Sequence, residues 1–184
     1  SCSISFQKRE KGLTHQIKMP KIQGPEKLKS DLELRKDLKS KIPKDYLPMW
    51  LREREIETRQ VEPVDLLNVK KLPPYRSTWM KPTGKLPADE RIHQALLLYV
   101  SDMGLLGAAV NPHEVNFMSK KFQSASLDHV MWFHGKVNFN NWILHHMHSP
   151  ISQNARGFSR GSIYTKSGKL VASTAQEGLM RIWD

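Results

Sequence analysis

The residues SASLDHVMWFH, at 124–134, set two serines, an aspartate and two histidines inside a run of strand formers. Serine, histidine and aspartate together suggest nucleophilic hydrolysis, the imidazole taking the serine proton and the carboxylate orienting the imidazole. Spacing argues against assembling that triad here. Successive side chains of a regular strand point to opposite faces. Ser126 and Asp128 would then share a face with Val130, Trp132 and His134, while His129 would lie with Leu127, Met131 and Phe133. A structural hydrogen-bonded pair at a strand start is the plainer expectation for Asp128 and His129.

GFSRG, at 157–161, matches the G-x-S-x-G nucleophile elbow, which needs a strand–turn–helix to lift its serine. Here it runs into SIYTKSGKL, a strand and hairpin, so Ser159 is set aside as a nucleophile. HHMH, at 145–148, would place His146 and His148 on one strand face, as two metal ligands could be. With one cysteine and no well-placed carboxylate no zinc-type set is completed, and neither a metal nor a cofactor is expected. Asp102 lies near the C-terminal end of an apolar helix, where the dipole disfavours negative charge. Such a carboxylate is either open to solvent or held for a purpose, in the second case with its pKa raised by burial and dipole.

These residues need a frame. ADERIHQALLLYVSDM, at 88–103, is the clearest helix, with acidic residues in its first turn. Ile92, Ala95, Leu96, Tyr99, Val100 and Met103 follow helical spacing, and Leu97 and Leu98 widen the stripe until a helix buried along its length is expected. Gly104 and Gly107 bring it to a close. Before it, IETRQVEPVD and YRSTWMKPTG read as strands separated by 66–74. After Pro112, SASLDHVMWFH, NWILHHMHS, GFSRGSIYT and KLVASTAQEGLMRI all read as strands, the last two joined by a tight turn at Ser167-Gly168. SCSISFQ alternates like a strand with one buried face, and Pro25 opens a helical connector with a thin stripe of Leu28, Leu32 and Leu38. The class is α+β; a single antiparallel sheet wrapped around one long helix, the hot dog fold, is one layout among several that this order allows.

Charge adds an exclusion. Residues 1–85 carry 20 Lys/Arg against 11 Asp/Glu, and 86–184 only 9 against 7, so the net charge of +11 belongs mainly to the first half. No basic face interleaved with aromatics and no reader motif accompanies it, so nucleic acid is not an expected partner. Solvated charge or attraction to a phosphorylated ligand suits the excess better, with a basic interaction module over 8–85 as the alternative. The longest apolar stretch, Ala95–Val100, is too short to span a bilayer, and residues 1–30 lack the apolar core of a signal peptide. A soluble intracellular or organellar protein, a fragment or processed chain because it opens on Ser1, is expected.

YVSDMGLLGAA (99–109), SLDHVMWFH (126–134), NARGFSRG (154–161) and LVASTAQEGLMR (170–181) resemble the second half of the acyl-CoA thioesterase II family, a double hot dog group with bacterial and peroxisomal members. The resemblance implies that 1–8 is the last strand of a first hot dog that is missing, 9–52 a basic linker and 53–184 a hot dog thioesterase domain. It further implies a trio of Asp102 in the helix, Ser126 before the DH pair and Gln176 in QEG, activating a water to hydrolyse fatty acyl-CoA without a covalent acyl-enzyme. A backbone N–H at the Gly104–Gly107 bend is the expected oxyanion donor. The implied partners are the acyl-CoA substrate and a second hot dog, either the missing half or another copy. A half that binds acyl-CoA or completes a dimer without catalysis is the competing expectation. The peroxisome is implied by resemblance, with cytoplasm or mitochondrion as alternatives, since RIWD does not match the S-K-L address.

Overall fold

The computed structural model describes residues 1–184 apart from Arg9, Leu66, Met118 and Asp184. Leu66, first residue of the expected break between strands, and Asp184, last of RIWD, therefore lie outside the described residues. Residues 1–8 form no strand and are exposed. A period-2 pattern needs a neighbouring strand to bond to, and this chain supplies none there.

The lysine-rich segment contains two short helices, α1 (Asp31–Asp37) and α2 (Leu47–Trp50). Helix α1 starts later than Pro25 suggests, because Ser30 and Glu33 close a capping box that fixes its N-terminus. Two strands follow, β1 (Ile56–Gln60) and β2 (Tyr75–Pro82). Then come α3 (Glu90–Ser101), capped by the Asp89 side chain, and α4 (Leu105–Val110). Gly104, at φ 79°, separates the two helices. By length and composition Glu90–His113 could cross a membrane, but that bend breaks it and one side packs on the sheet. The remaining strands are β3 (Phe122–Ser126), β4 (Val130–Phe133), β5 (Ile143–Gln153), β6 (Arg156–Thr165) and β7 (Leu170–Ile182). All pairings are antiparallel, in the order β1-β2-β5-β6-β7-β3, with β4 beside β3 on the same edge of β7. The sheet curls around α3 in the hot dog plan.

The inner face carries Met80, Ile143, Ile163 and Ala172, which pack with Leu97 and Val100 of α3. Glycine is required where α4 lies on the sheet. A Cβ at Gly157 would come within 2.6 Å of Ala109, and one at Gly178 within 2.7 Å of Leu106. The outer face is covered by the chain itself. Met19, Ile22 and Leu28 pack against Trp79, Leu144 and Tyr164. Trp79 Nε1 donates to Gln23 O at 2.9 Å, and Gln16 bonds to the backbone of Gly168 and Leu170 at 2.8 and 3.1 Å. The expected connector is thus a strap whose apolar residues form a second core.

Two expectations are corrected. Helix α3 is not buried along its length: His93, Leu97, Val100 and Ser101 are buried, whereas Ile92, Leu98 and Tyr99 are exposed. The sheet covers one side of the helix, and no described residue covers the other. The stretch 124–134 is not one regular strand either. Ser126 pairs with Gly178 and Val130 with Ala175, so three residues, 127–129, face two, a β-bulge.

Candidate active site

The bulge sets the geometry of the site. Directly opposed residues of an antiparallel pair point to the same face. Ser126, opposite Gly178, therefore shares the inner face with Gln176, two residues along β7. Past the bulge the alternation is shifted by one. Met131 and Phe133 now point inward while Val130 and Trp132 point outward, opposite Ala175 and Ser173. The expected grouping of Ser126 with Val130 and Trp132 is overturned for that reason.

Asp102, the C-cap of α3, meets both groups. Ser126 Oγ donates to Asp102 Oδ1 at 3.2 Å. Gln176 Nε2 donates to the same oxygen at 2.5 Å and to Ser126 Oγ at 2.5 Å. The helix end, the edge strand and its neighbour thus bring all three resemblance-implied residues into one hydrogen-bonded triangle. Oδ1 takes both bonds, so Oδ2 is the atom left to accept from a water. Gln176 is 1 % exposed, but Asp102 and Ser126 are exposed, so the burial foreseen for a held Asp102 is absent. They open on a cleft of about 440 Å³ lined also by Leu98, Tyr99, Leu127, Asp128 and His129. An apolar wall beside a carboxylate and two polar groups suits a substrate with a hydrocarbon part and a polarised carbonyl.

The neighbouring groups explain other sequence motifs. Asp128 and His129 do not bond to each other. Asp128 Oδ1 accepts from Glu177 N at 2.8 Å, and His129 Nε2 lies 2.7 Å from Ser101 Oγ. Ser159 is buried in β6 directly opposite Gln176, and neither its Oγ nor Gln176 Oε1 has a partner among the described residues. A buried serine within a strand is no elbow, as its context implied. Gly157 and Gly161 instead make room for α4 and for the His145 ring, which a Cβ at Gly161 would meet at 2.2 Å. Ser101 escaped sequence reasoning, because only the packing of α3 on the sheet brings it to His129.

The histidines divide by burial. His145 is fully buried, 3.4 Å from Thr174 Oγ1, and loss of hydration pushes its imidazole down to about 3, with His129 and His146 adding to the effect. His146, on the outer face, bonds Ser77 Oγ at 2.9 Å and is also shifted down by burial. His145 and His146 serve opposite sides of the sheet, and His148 is exposed. Among the described residues no group of three His, Cys, Asp or Glu is placed to hold a metal ion.

Comparison with known proteins sets this geometry in context. A family profile described as acyl-CoA thioesterase matches residues 51–179. The chain is 36 % identical over 179 residues to acyl-CoA thioesterase 2 of Haemophilus influenzae, covering 97 % of this chain and 63 % of that protein. It is 31 % identical to human acyl-coenzyme A thioesterase 8, covering 98 % of this chain and 59 % of the relative. Among solved structures, an acyl-CoA thioesterase II from Mycobacterium marinum superposes with a TM-score of 0.72 at 29 % identity, covering 97 % of this chain and 61 % of its own. The chain thus spans about three fifths of the length of the proteins it matches.

Proposed function

The chain belongs to the acyl-CoA thioesterase II family, and from that premise we propose that it hydrolyses fatty acyl-CoA to fatty acid and CoA through Asp102, Ser126 and Gln176. The observation that carries this is the closed triangle of those side chains at the mouth of an apolar cleft. A water held by Asp102 Oδ2 attacks the thioester carbonyl while Asp102 takes its proton. The carbonyl π pair moves onto oxygen, and a backbone N–H at the start of α4 stabilises that charge. Leu105 and Gly107 already donate to Asp102 O and Gly104 O, so Gly104 and Leu106 are the candidates. Collapse breaks the C–S bond, the thiolate recovers the proton from Asp102, and acid and CoA leave. Gln176, with both amide protons engaged, holds Asp102 and Ser126 in line.

A second hot dog half belongs to the same proposal. Tyr99 is 63 % exposed and Leu127 54 %, and both line the cleft. An apolar face of that kind marks an interaction surface. The half that packs there would close the acyl channel over the trio. Residues 1–8 as the last strand of such a half, 9–52 as linker and 53–184 as the domain remain our division of the chain. A peroxisomal location belongs to the proposal through kinship alone.

Thiol release from palmitoyl-CoA tests the reading, on the chain alone and with the first half of a thioesterase II added, alongside its mass in solution. Asp102→Ala and Gln176→Ala are each expected to lower kcat by about 10²–10⁴-fold. Turnover unchanged by both would sink it. Turnover that appears only with the added half would assign this chain the role of one half of a composite enzyme.

A further inference from the structure

We propose that Asp128 and His129 are positioning residues that brace the trio from within the bulge, an inference that rests on the hydrolytic reading above. Each anchors the chain one residue from a member of the trio. Asp128 accepts from the N–H of Glu177, next to Gln176. The Glu177 carbonyl accepts in return from the N–H groups of Leu127 and Asp128, at 2.9 and 3.4 Å. His129 reaches the other way, to Ser101, which precedes Asp102 and is fully buried at the end of α3. Ser126 lies immediately before the bulge that carries both. The distances among three elements therefore depend on one three-residue segment.

The direction of the His129 bond follows from the serine. Ser101 Oγ donates its single proton to the Leu98 carbonyl at 2.7 Å, since a carbonyl can only accept. Nε2 of His129 must then donate to Ser101 Oγ. Its Nδ1 is buried and has no partner among the described residues. The ring therefore acts as a directed donor toward the helix, and its bonded nitrogen serves Ser101. In a regular strand this pair would leave on opposite faces. On the bulge, one side chain runs along the sheet to β7 and the other rises to α3.

The test uses the chain, with the added half if turnover requires it, and palmitoyl-CoA as substrate. His129→Leu is expected to lower kcat by about 10–100-fold with KM within about twofold, because orientation is lost and the cleft wall kept. His129→Gln, whose amide N–H can point at Ser101, is expected to recover most of the loss. Asp128→Ala should lose activity as His129→Leu does, and Asp128→Asn should recover most of it, since asparagine still offers an accepting oxygen to Glu177 N. Trp79→Phe, on the far side of the sheet, serves as the control for a general loss of stability. A His129→Leu enzyme with wild-type kcat, or a glutamine variant no better than leucine at equal folded fraction, overturns the brace. Gln176→Ala in the same assay separates the two readings: if it matches wild type, hydrolysis by the trio fails. The brace is then decided by NMR, where the His129 Nε2–H should be protected from exchange and lose that protection in Ser101→Ala. An unprotonated or freely exchanging Nε2 rejects it.

Discussion

The two sides of this sheet are finished in different ways. On the outer side the chain supplies its own cover: Met19, Ile22 and Leu28 seal Trp79, Leu144 and Tyr164, and Gln16 and Gln23 satisfy polar groups along the path. On the helix side α3 fills the curl of the sheet, yet its other flank, with Leu98 and Tyr99, stays exposed next to Asp102. Both surfaces are rich in apolar residues. The difference is that one is completed within the chain, while the one bearing the trio stays exposed among the described residues. Substitutions on the outer side should therefore cost stability, and substitutions on the open side should cost assembly and turnover.

The largest break in stability is expected at Trp79→Ala, which empties the second core and removes the bond to Gln23 O. A loss of about 3–5 kcal/mol is expected in urea unfolding, as for other buried aromatic truncations. His145 tests the layer between the two sides. Burial holds its pKa at about 3 in the folded chain, against an ordinary value of 6.5. Unfolded chains thus take up a proton below about pH 6.5 that the folded chain refuses until about pH 3. Stability should fall as pH drops through that window, by at most about 1.4 kcal/mol per unit, and His145→Gln should flatten the slope in unfolding curves measured across it. Ser30→Ala removes the hydroxyl of the capping box at the start of α1 and should cost about 1 kcal/mol, read as a small shift in thermal midpoint. Tyr99→Glu, on the open side, should change the unfolding free energy of the isolated chain by no more than about 0.5 kcal/mol. It should nevertheless weaken association with a second half, measured by sedimentation. Destabilisation there as large as at Trp79 would mean that the two sides do not differ.

Much of the frame could be read from local signals. Asp89 caps α3 where the acidic first turn placed its start, and Gly104 ends the helical run with a left-handed residue. Gly168, at φ 90°, makes the turn between β6 and β7 where Ser167-Gly168 suggested one. The trio was reached through resemblance, since nothing local distinguishes Ser126 from its neighbours. What escaped was set by partners far away in sequence. The bulge exists because β7 fixes the register of β3 and β4 separately, and strand alternation alone cannot count an extra residue. The exposed flank of α3 escaped for the opposite reason: its composition is that of a buried helix, and what would bury it is not among the described residues. The strap read as a solvated connector because its lysines outnumber the few apolar residues that hold it down.

The one additional residue in the bulge also has a genetic consequence. Odd and even positions exchange faces there, so the interval between Ser126 and Val130 fixes a parity as well as a distance. Deleting Leu127 would restore an unbroken alternation and force a choice. Either Ser126 keeps its place and Met131 turns out of the core, or the core keeps Met131 and the hydroxyl leaves the triangle. A substitution in this segment costs the bonds of one side chain, whereas a change of length by one reverses the facing of a whole strand.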